Sequence, residues 1–428
     1  MSPSVRDVAL EVVRRVADEG AYSNRLLPAL LSHSGLDERD RAFATELAYG
    51  TLRRVPELDA AIAGASSRPV ARMTPGARAA LRLGAYQLLH LRVPPHAAVG
   101  ETVATVPARE RGFVNAILRK IVTGEPTPAR GDEEISLSIR SGMAPWAIAE
   151  LRRLLPGGEV ERAALAFGER APLTLRVNTC RATVDQVVDA WRAVGLDPTP
   201  GGVHRECLVL RGTDPTTLPG WREGWFAVQD QASAFVVETL GPRFGERVLD
   251  ACAAPGGKTA FVSCRVGAEG SVVAADRHPD RAALIPQILD RLGLPGLVVA
   301  QDATCRAVRG PFDRVLVDAP CSGLGAARRR PELLWRPRRD ALARLARLQV
   351  AIVTAVADVL RPGGRLVYSV CTFPRAETDA AADAIVRHRP DLVAIDSPGP
   401  DGVGPRHRLW PHRHGTDGMF VAAFERSG

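Results

Sequence analysis

From Arg243 to the end of the chain, short apolar runs alternate with helical stretches, and no other feature restricts the fold so strongly. The strand candidates are RVLDAC, SVVAAD, LVVAQD, DRVLVDAP and RLVYSVC, followed by DLVAID and GMFVAAFER. Between most of them lie helix-like segments: KTAFVSCRV, RAALIPQILDRLG, the long RRDALARLARLQVAIVTAVADVL, and TDAAADAIVRH. Strands this apolar are buried on both faces, which predicts a parallel, doubly wound sheet covered by helices. Ligands of such α/β sheets lie beyond the C-terminal strand ends, so the residues closing each strand are the candidates for function.

Upstream the period changes. From Val5 to about Val122 apolar residues recur at helical spacing, as at Val5, Val8, Ala9, Val12, Val13 and Val16 before Gly20. ERDRAFATELAYGTLRR, ARAALRLGAYQLLHL and RGFVNAILRKIV read the same way, giving six or seven helices in an all-α domain over residues 1–125. TGEPTPARGDEE, residues 123–134, carries Gly, Pro and acids and reads as a linker. A small α+β segment over residues 135–242 holds strand-like LTLRVNT and CLVLRG around the helical TVDQVVDAWRAV. The α/β part then occupies 243–428.

Charge adds a partner class. The chain carries 56 basic and 48 acidic side chains, net +8, and lysine occurs only at Lys120 and Lys258. Eight arginines against two acids lie between Ala326 and Arg347, and residues 1–130 hold 18 basic and 13 acidic side chains. Coding bias accounts for much of the arginine. Its concentration in two zones nonetheless favours a polyanion such as nucleic acid, since arginine binds phosphate bidentately. No apolar run approaches a membrane span, and the opening stretch has acids and no small-residue cleavage site. Seven cysteines without a CxxC pattern predict no metal site and a reducing, cytoplasmic setting. Cys180, Cys207, Cys264 and Cys305 read as inert, buried small hydrophobes.

The strand ends carry the chemistry. The first ends in Asp250-Ala-Cys252-Ala253-Ala254-Pro255-Gly256-Gly257-Lys258-Thr259. Two glycines before a helix let backbone approach a ligand, and a helix N-terminus favours an anionic group. Gly257-Lys258-Thr259 matches the tail of a P-loop, but Cys252 stands at its first glycine position and Pro255 interrupts it. GxGxxG is absent too. Asp276 closes the second strand, where an acid can accept from a ribose diol, and Asp302 closes the third, where it could accept from an adenine amine. Either could equally cap a helix. Asp318-Ala-Pro-Cys321-Ser-Gly ends the fourth strand and Tyr368-Ser-Val-Cys371-Thr-Phe-Pro the fifth. Two cysteines thus sit at the C-terminal ends of neighbouring strands.

The segments DACAAPGGKT, VDAPCSG, YSVCTFPRAET and HGTDGMFVAAFER, in that order, resemble the Nop/Sun family of RNA 5-methylcytosine methyltransferases. The all-α front end, with RGFVNAILRK near its close, resembles the NusB-like domain of the family's bacterial branch that acts on small-subunit ribosomal RNA. LTLRVNT and FAVQDQASAFV match the family's middle region. Two departures are SGMAPW, where relatives have a His-Pro-x-Trp turn, and the three arginines before Pro331 where one is usual. The resemblance implies a Rossmann-like methyltransferase domain, S-adenosyl-L-methionine as donor, and a cytosine of 16S ribosomal RNA as acceptor. It implies that Cys252, Ala253, Ala254, Pro255, Gly256, Gly257 and Lys258 bind the donor's methionine end. Asp276 would hold the ribose, Asp302 the adenine, and Asp318 would lie near the sulfonium and the target base. Cys371 would be the nucleophile and Cys321 the group that assists release. The protein is expected to act as a monomer without a membrane.

That chemistry needs these residue types. C5 of cytosine is too weak a nucleophile to take a methyl group until a thiolate adds at C6. A carboxyl near N3 stabilises the adduct, and a second acid/base group serves the loss of the C5 proton and expulsion of the thiol. The rivals are a DNA cytosine-C5 methyltransferase using Cys321 as nucleophile, a non-catalytic RNA-binding assembly factor, and a P-loop NTPase. The later cysteine motif and the helical front end argue against the first, and a complete set of strand-end residues argues against the second.

Overall fold

The computed structural model describes residues 3–124, 133–305, 308–336 and 339–428. Most of the expected linker, residues 125–132, and Arg338 of the arginine tract lie outside the described residues. The described chain divides into two compact units: one runs to Glu169 and takes in residues 327–336, and the other holds the rest.

The helical unit contains α1 (Val5–Asp18), α2 (Ser23–Ser32), α3 (Glu38–Arg53), α4 (Val55–Ala65), α5 (Pro75–His90), α6 (Pro95–Ala104) and α7 (Ala108–Thr123). After the undescribed stretch come α8 (Glu133–Ser141), α9 (Pro145–Leu154) and α10 (Gly157–Gly168). Ser4 and Asp7 form a reciprocal capping box that starts α1. Its buried face is Val8, Ala9, Val12, Val13 and Val16, the predicted stripe less Val5, which is only partly covered. α5 is buried along most of its length, as expected for the central helix of a bundle.

Residues 327–336 pack inside this helical unit. Glu332 is fully buried, and its carboxylate accepts the Ser23 amide at 3.2 Å and the Ser23 hydroxyl at 2.7 Å. Trp335 Nε1 donates to the Leu52 carbonyl at 2.9 Å. The Arg336 guanidinium meets the carbonyls of Val16, Gly20 (3.1 Å) and Ala21 (2.7 Å) at the end of α1, where a cation complements the helix dipole. This corrects the reading of the whole arginine tract as a phosphate grip. Arg328 is buried and Arg336 is engaged by helix-end carbonyls, while Arg339, Arg344 and Arg347 remain exposed. A run of like charge in the sequence does not distinguish a solvated face from a segment whose arginines close another domain's backbone.

The second unit opens with a four-stranded antiparallel sheet in the order β2-β3-β1-β4, from β1 (Leu173–Val177), β2 (Thr199–Pro200), β3 (Cys207–Leu210) and β4 (Phe226–Val228). It is backed by α11 (Val184–Arg192), whose Trp191 packs edge-on against Phe226. Then α12 (Gln231–Leu240) leads into β5 (Arg247–Asp250), α13 (Gly257–Val266), β6 (Ser271–Asp276), α14 (Pro279–Ala282), α15 (Leu284–Leu292) and β7 (Leu297–Ala300). The chain continues with β8 (Phe312–Asp318), α16 (Arg339–Val356), β9 (Leu360–Val370), α17 (Asp379–His388) and β10 (Leu392–Ala394). The short β11 (Ser397–Gly399) and β12 (Gly402–Gly404) pair with each other before β13 (Arg406–Leu409), α18 (Pro411–His414) and β14 (Met419–Arg426).

The large sheet runs β10-β14-β9-β8-β5-β6-β7, with β13 also on β14. Strands β5 to β9 are parallel, as the apolar runs predict, but β14 lies antiparallel to β9, β10 and β13. The chain order reverses between β5 and β8, which is where a doubly wound sheet opens a crevice. The core beneath it joins Leu249, Val315, Val317, Leu366, Tyr368 and Phe420.

The expectation of four inert buried cysteines holds only for Cys207. Cys180, exposed in the turn after β1, is disulfide-bonded to Cys264 of α13, and Cys305 is exposed. Nothing in the local sequence reports that this turn folds over α13.

Glu332→Ala leaves two buried Ser23 donors unsatisfied, which should destabilise the helical unit by roughly 1–3 kcal/mol. Urea unfolding measures this; an unchanged midpoint would show that residues 327–336 are not held there.

Candidate active site

The sequence places Asp250, Asp318 and Cys371 on or just beyond three adjacent parallel strands, and the sheet brings their surroundings together. The β8–β9 register sets Asp318 opposite Ser369, and the Ser369 hydroxyl donates to Asp318 Oδ1 at 2.9 Å. Lys258, in the first turn of α13, reaches Asp318 Oδ2 at 2.7 Å and the Ser233 hydroxyl at 3.3 Å. Burial opposes the charge on Lys258, but the attraction and hydrogen bond of Asp318, and then the sulfur of Cys371, raise its pKa overall. Lys258 is therefore a held cation within electrostatic reach of both groups.

Cys321 and Cys371 face each other with 3.4 Å between sulfurs. Their loops are closed by backbone: the Gly325 amide donates to the Cys371 carbonyl at 2.9 Å, and the Gly418 amide to the Gly325 carbonyl at 2.9 Å. A Cβ at Gly325 would overlap the Gly418 carbonyl oxygen, so only glycine fits there. Contact with Cys371 pushes the Cys321 thiol well above its ordinary pKa, and burial adds to this. Cys321 is thereby held as the thiol.

The loop after β5 makes the other wall. Gly256, at φ +114°, turns the chain into α13 with its Cβ position 3.2 Å from Ile285, and no side chain caps the helix start. A helix N-terminus without a side-chain cap favours an anionic ligand group. Asp276 is buried. Its Oδ2 accepts the Ala254 amide at 3.2 Å and lies 3.5 Å from Arg281, and its Oδ1 accepts the His278 amide at 3.1 Å. It therefore braces the loop as well as facing the crevice. Asp302 accepts the amide and hydroxyl of Thr304 at 3.0 and 2.7 Å and pairs with Arg277 at 3.2 Å. Those contacts, the hydroxyl first, hold its carboxyl below the usual range. Cys252 lies in the same loop with its thiol pushed up by burial, an unreactive lining group. A glycine cradle, an uncapped helix start and two acids at successive strand ends suit a group with an anionic end and a nucleoside end.

Sequence reading missed several residues around the cysteines. Ser369 and Ser233 hold Asp318 and Lys258. Glu377, fully buried, accepts the Ser322 amide at 2.9 Å and Gln349 Nε2 at 3.0 Å, and Ser322 Oγ lies 2.7 Å from Thr372 Oγ1. For Glu377 a signal existed, an acid in PRAET a few residues past a strand end; for Gln349, mid-helix and 28 residues away, none did.

Comparison with known proteins finds relatives of this chain. A family model described as 16S rRNA methyltransferase RsmB/F matches residues 237–425, a NusB family model matches 3–123, and a ferredoxin-like RsmF/B-type domain matches 143–217. The chain is 39% identical to a methyltransferase of Mycobacterium tuberculosis, over 98% of this chain and 96% of that one. It is 33% identical to the ribosomal RNA small subunit methyltransferase B of Salmonella arizonae, covering 98% of each. The crystal structure of PH0851 superposes with a TM-score of 0.84 at 25% identity over the whole of both chains. NSun6 of Pyrococcus horikoshii, at 20% identity and a TM-score of 0.58, shares the fold over 66% of this chain.

Asp250 supplies a test of the site's electrostatics. Burial raises its pKa to about 7, against a Thr259 hydroxyl bond of 2.7 Å, and its Oδ1 has no hydrogen bond among the described residues. The folded state then binds a proton that the unfolded state has released, so this contribution is complete below pH ~4 and is lost as pH rises through ~7. Asp250→Asn should flatten a stability slope of up to about 1.4 kcal/mol per pH unit in that window. Urea midpoints across the window measure it, and a slope shared by wild type and variant would refute the assignment.

Proposed function

The chain belongs to the RsmB/F family of 16S rRNA methyltransferases, and we propose that it methylates C5 of a cytosine in small-subunit ribosomal RNA through a covalent Cys371–C6 adduct. The observation that carries this reading is the pair of sulfurs 3.4 Å apart beside a fixed Asp318. S-adenosyl-L-methionine, when bound, supplies an electrophilic methyl group. Residues Cys252 to Lys258 hold its methionine end at the start of α13, Asp276 its ribose and Asp302 its adenine.

Each side chain has a definite task. The Lys258 ammonium favours the Cys371 thiolate, which adds to C6 and makes C5 an enamine carbon. Asp318, oriented by Lys258 and Ser369, faces the N3 side of the base. Once the Cys371 sulfur is a thioether it no longer holds the Cys321 proton in place, and that contact is the first cause of the raised Cys321 pKa. Cys321 can then give its proton to solvent and, as thiolate, take the C5 proton, while the C5–H electron pair re-forms C5=C6 and Cys371 leaves as thiolate. The target base must leave its stack to reach this crevice, at a cost of a few kcal/mol. The helical unit and the exposed arginines of α16 supply phosphate contacts, with the protein acting as a monomer in the cytoplasm. Among the described residues no helix is long and apolar enough to cross a membrane.

The two thiols leave different traces. Cys371→Ala should be inactive and never crosslink to RNA. Cys321→Ala should accumulate a donor-dependent protein–RNA complex that survives denaturing gels. The reverse pattern would exchange the roles and favour the DNA-type mechanism.

Replacing Arg339, Arg344 and Arg347 by Ala should make RNA binding less sensitive to salt, lowering the log–log slope by about 0.7 for each single-strand phosphate that these arginines neutralise. An unchanged slope would make these arginines compositional.

A further inference from the structure

Glu377 and Gln349 between them hold both sides of Cys321. The Gln349 amide, midway along α16, donates to the Pro320 carbonyl at 2.9 Å and to Glu377 Oε1 at 3.0 Å. The same Glu377 oxygen accepts the Ser322 amide at 2.9 Å. Residues before and after Cys321 are thus tied to one buried pair. The Tyr368 hydroxyl, on β9, lies 2.9 Å from Gln349 Oε1 and 2.6 Å from the Glu377 carbonyl oxygen, joining the pair to the strand that leads into Cys371. The bridge closes on the far side at Ser322 Oγ and Thr372 Oγ1, 2.7 Å apart, where Thr372 directly follows Cys371.

Burying a carboxyl in this way is unfavourable. Glu377 is fully buried, and Oε2 has no hydrogen bond among the described residues. Burial raises its pKa, against the bonds from Ser322 and Gln349. A nonpolar side chain would fill the space without that penalty but could not accept from Ser322. The loops carrying the two cysteines are 50 residues apart in sequence, and this polar cluster joins the Gly325–Cys371 backbone bond in registering one on the other.

We propose that Glu377 and Gln349 are positioning residues that hold Cys321 against Cys371 for release of the methylated product. The inference rests on the thiol roles proposed above. It predicts that breaking the cluster reproduces the Cys321→Ala trap while sparing the donor site, which a general packing defect would not do.

The experiment uses the full chain with small-subunit ribosomal RNA and S-adenosylmethionine, and reads donor affinity by calorimetry, single-turnover methyl transfer, and covalent complex on denaturing gels. Glu377→Ala and Gln349→Leu should bind donor within about twofold of wild type, transfer methyl in a single turnover, and accumulate about tenfold more covalent complex at steady state. Glu377→Gln keeps an oxygen acceptor for Ser322 and should restore release. The double variant should be no worse than the stronger single one, because both act through one cluster. Should Glu377→Ala fail to bind donor for want of folding, Thr372→Val, which removes only the hydroxyl bridge, carries the same expectation. Cys321→Ala is the reference. If it traps RNA and the cluster variants do not, the positioning role is overturned; if it does not trap, the thiol assignment falls and this inference falls with it. Equal losses in donor binding, transfer and release would likewise overturn it.

Discussion

The parallel pairing of β8 with β9 is the constraint on which the site depends. It places Asp318 opposite Ser369, and the Ala319 amide extends the ladder to the Ser369 carbonyl at 2.9 Å. From that fixed point Cys321 is three residues along one strand's exit and Cys371 two along the other's. An approach of two thiols is weak in itself, so it has to be imposed by groups that bond more strongly. The Gly325–Cys371 and Gly418–Gly325 backbone bonds and the buried side-chain cluster do this. A slip of one residue between β8 and β9 would turn Asp318 or Cys371 to the other face of the sheet.

Much of this was legible in the sequence, for identifiable reasons. Strands buried on both faces leave apolar runs, and the doubly wound order then locates function at their ends without any knowledge of contacts. Hence Cys321, Cys371, Asp318, Asp276 and Asp302 could be named as candidates from position, whereas Lys258 entered with the loop that the family resemblance implies binds the donor. Strand polarity at the edge was not legible: DLVAID and GMFVAAFER look like the other runs, and only the pairing shows β14 antiparallel to β9. Side chains that act through others were also hidden. Gln349 sits in an ordinary amphipathic helix, and its partners at 320 and 377 are joined to it only by the fold.

The arginine tract illustrates a second kind of blindness. Composition reports charge but not what the charge is bonded to. Arg336 closes the end of α1, Arg314 pairs with Glu246 at 3.0 Å, and Arg176, fully buried, lies 4.0 Å from the centre of the Phe261 ring. These guanidiniums bond carbonyls, carboxylates and ring faces inside the protein, and such use subtracts from any count of phosphate ligands. What remains exposed on α16 among the described residues is the short row Arg339, Arg344 and Arg347.

Lysine usage sharpens the point. Of 56 basic residues only Lys120 and Lys258 are lysines, so arginine is the default cation of this chain. Lys120 is exposed near the end of α7, while Lys258 is almost enclosed between Asp318 and Ser233. The geometry explains the exception. An ammonium is compact and rotates its three donors freely, so it can bond Asp318 Oδ2 and the Ser233 hydroxyl from the first turn of a helix. A guanidinium is larger and planar, and its fork would seek both oxygens of Asp318 rather than one oxygen and the Ser233 hydroxyl. The site needs a point charge, and the chain supplies one against its own bias.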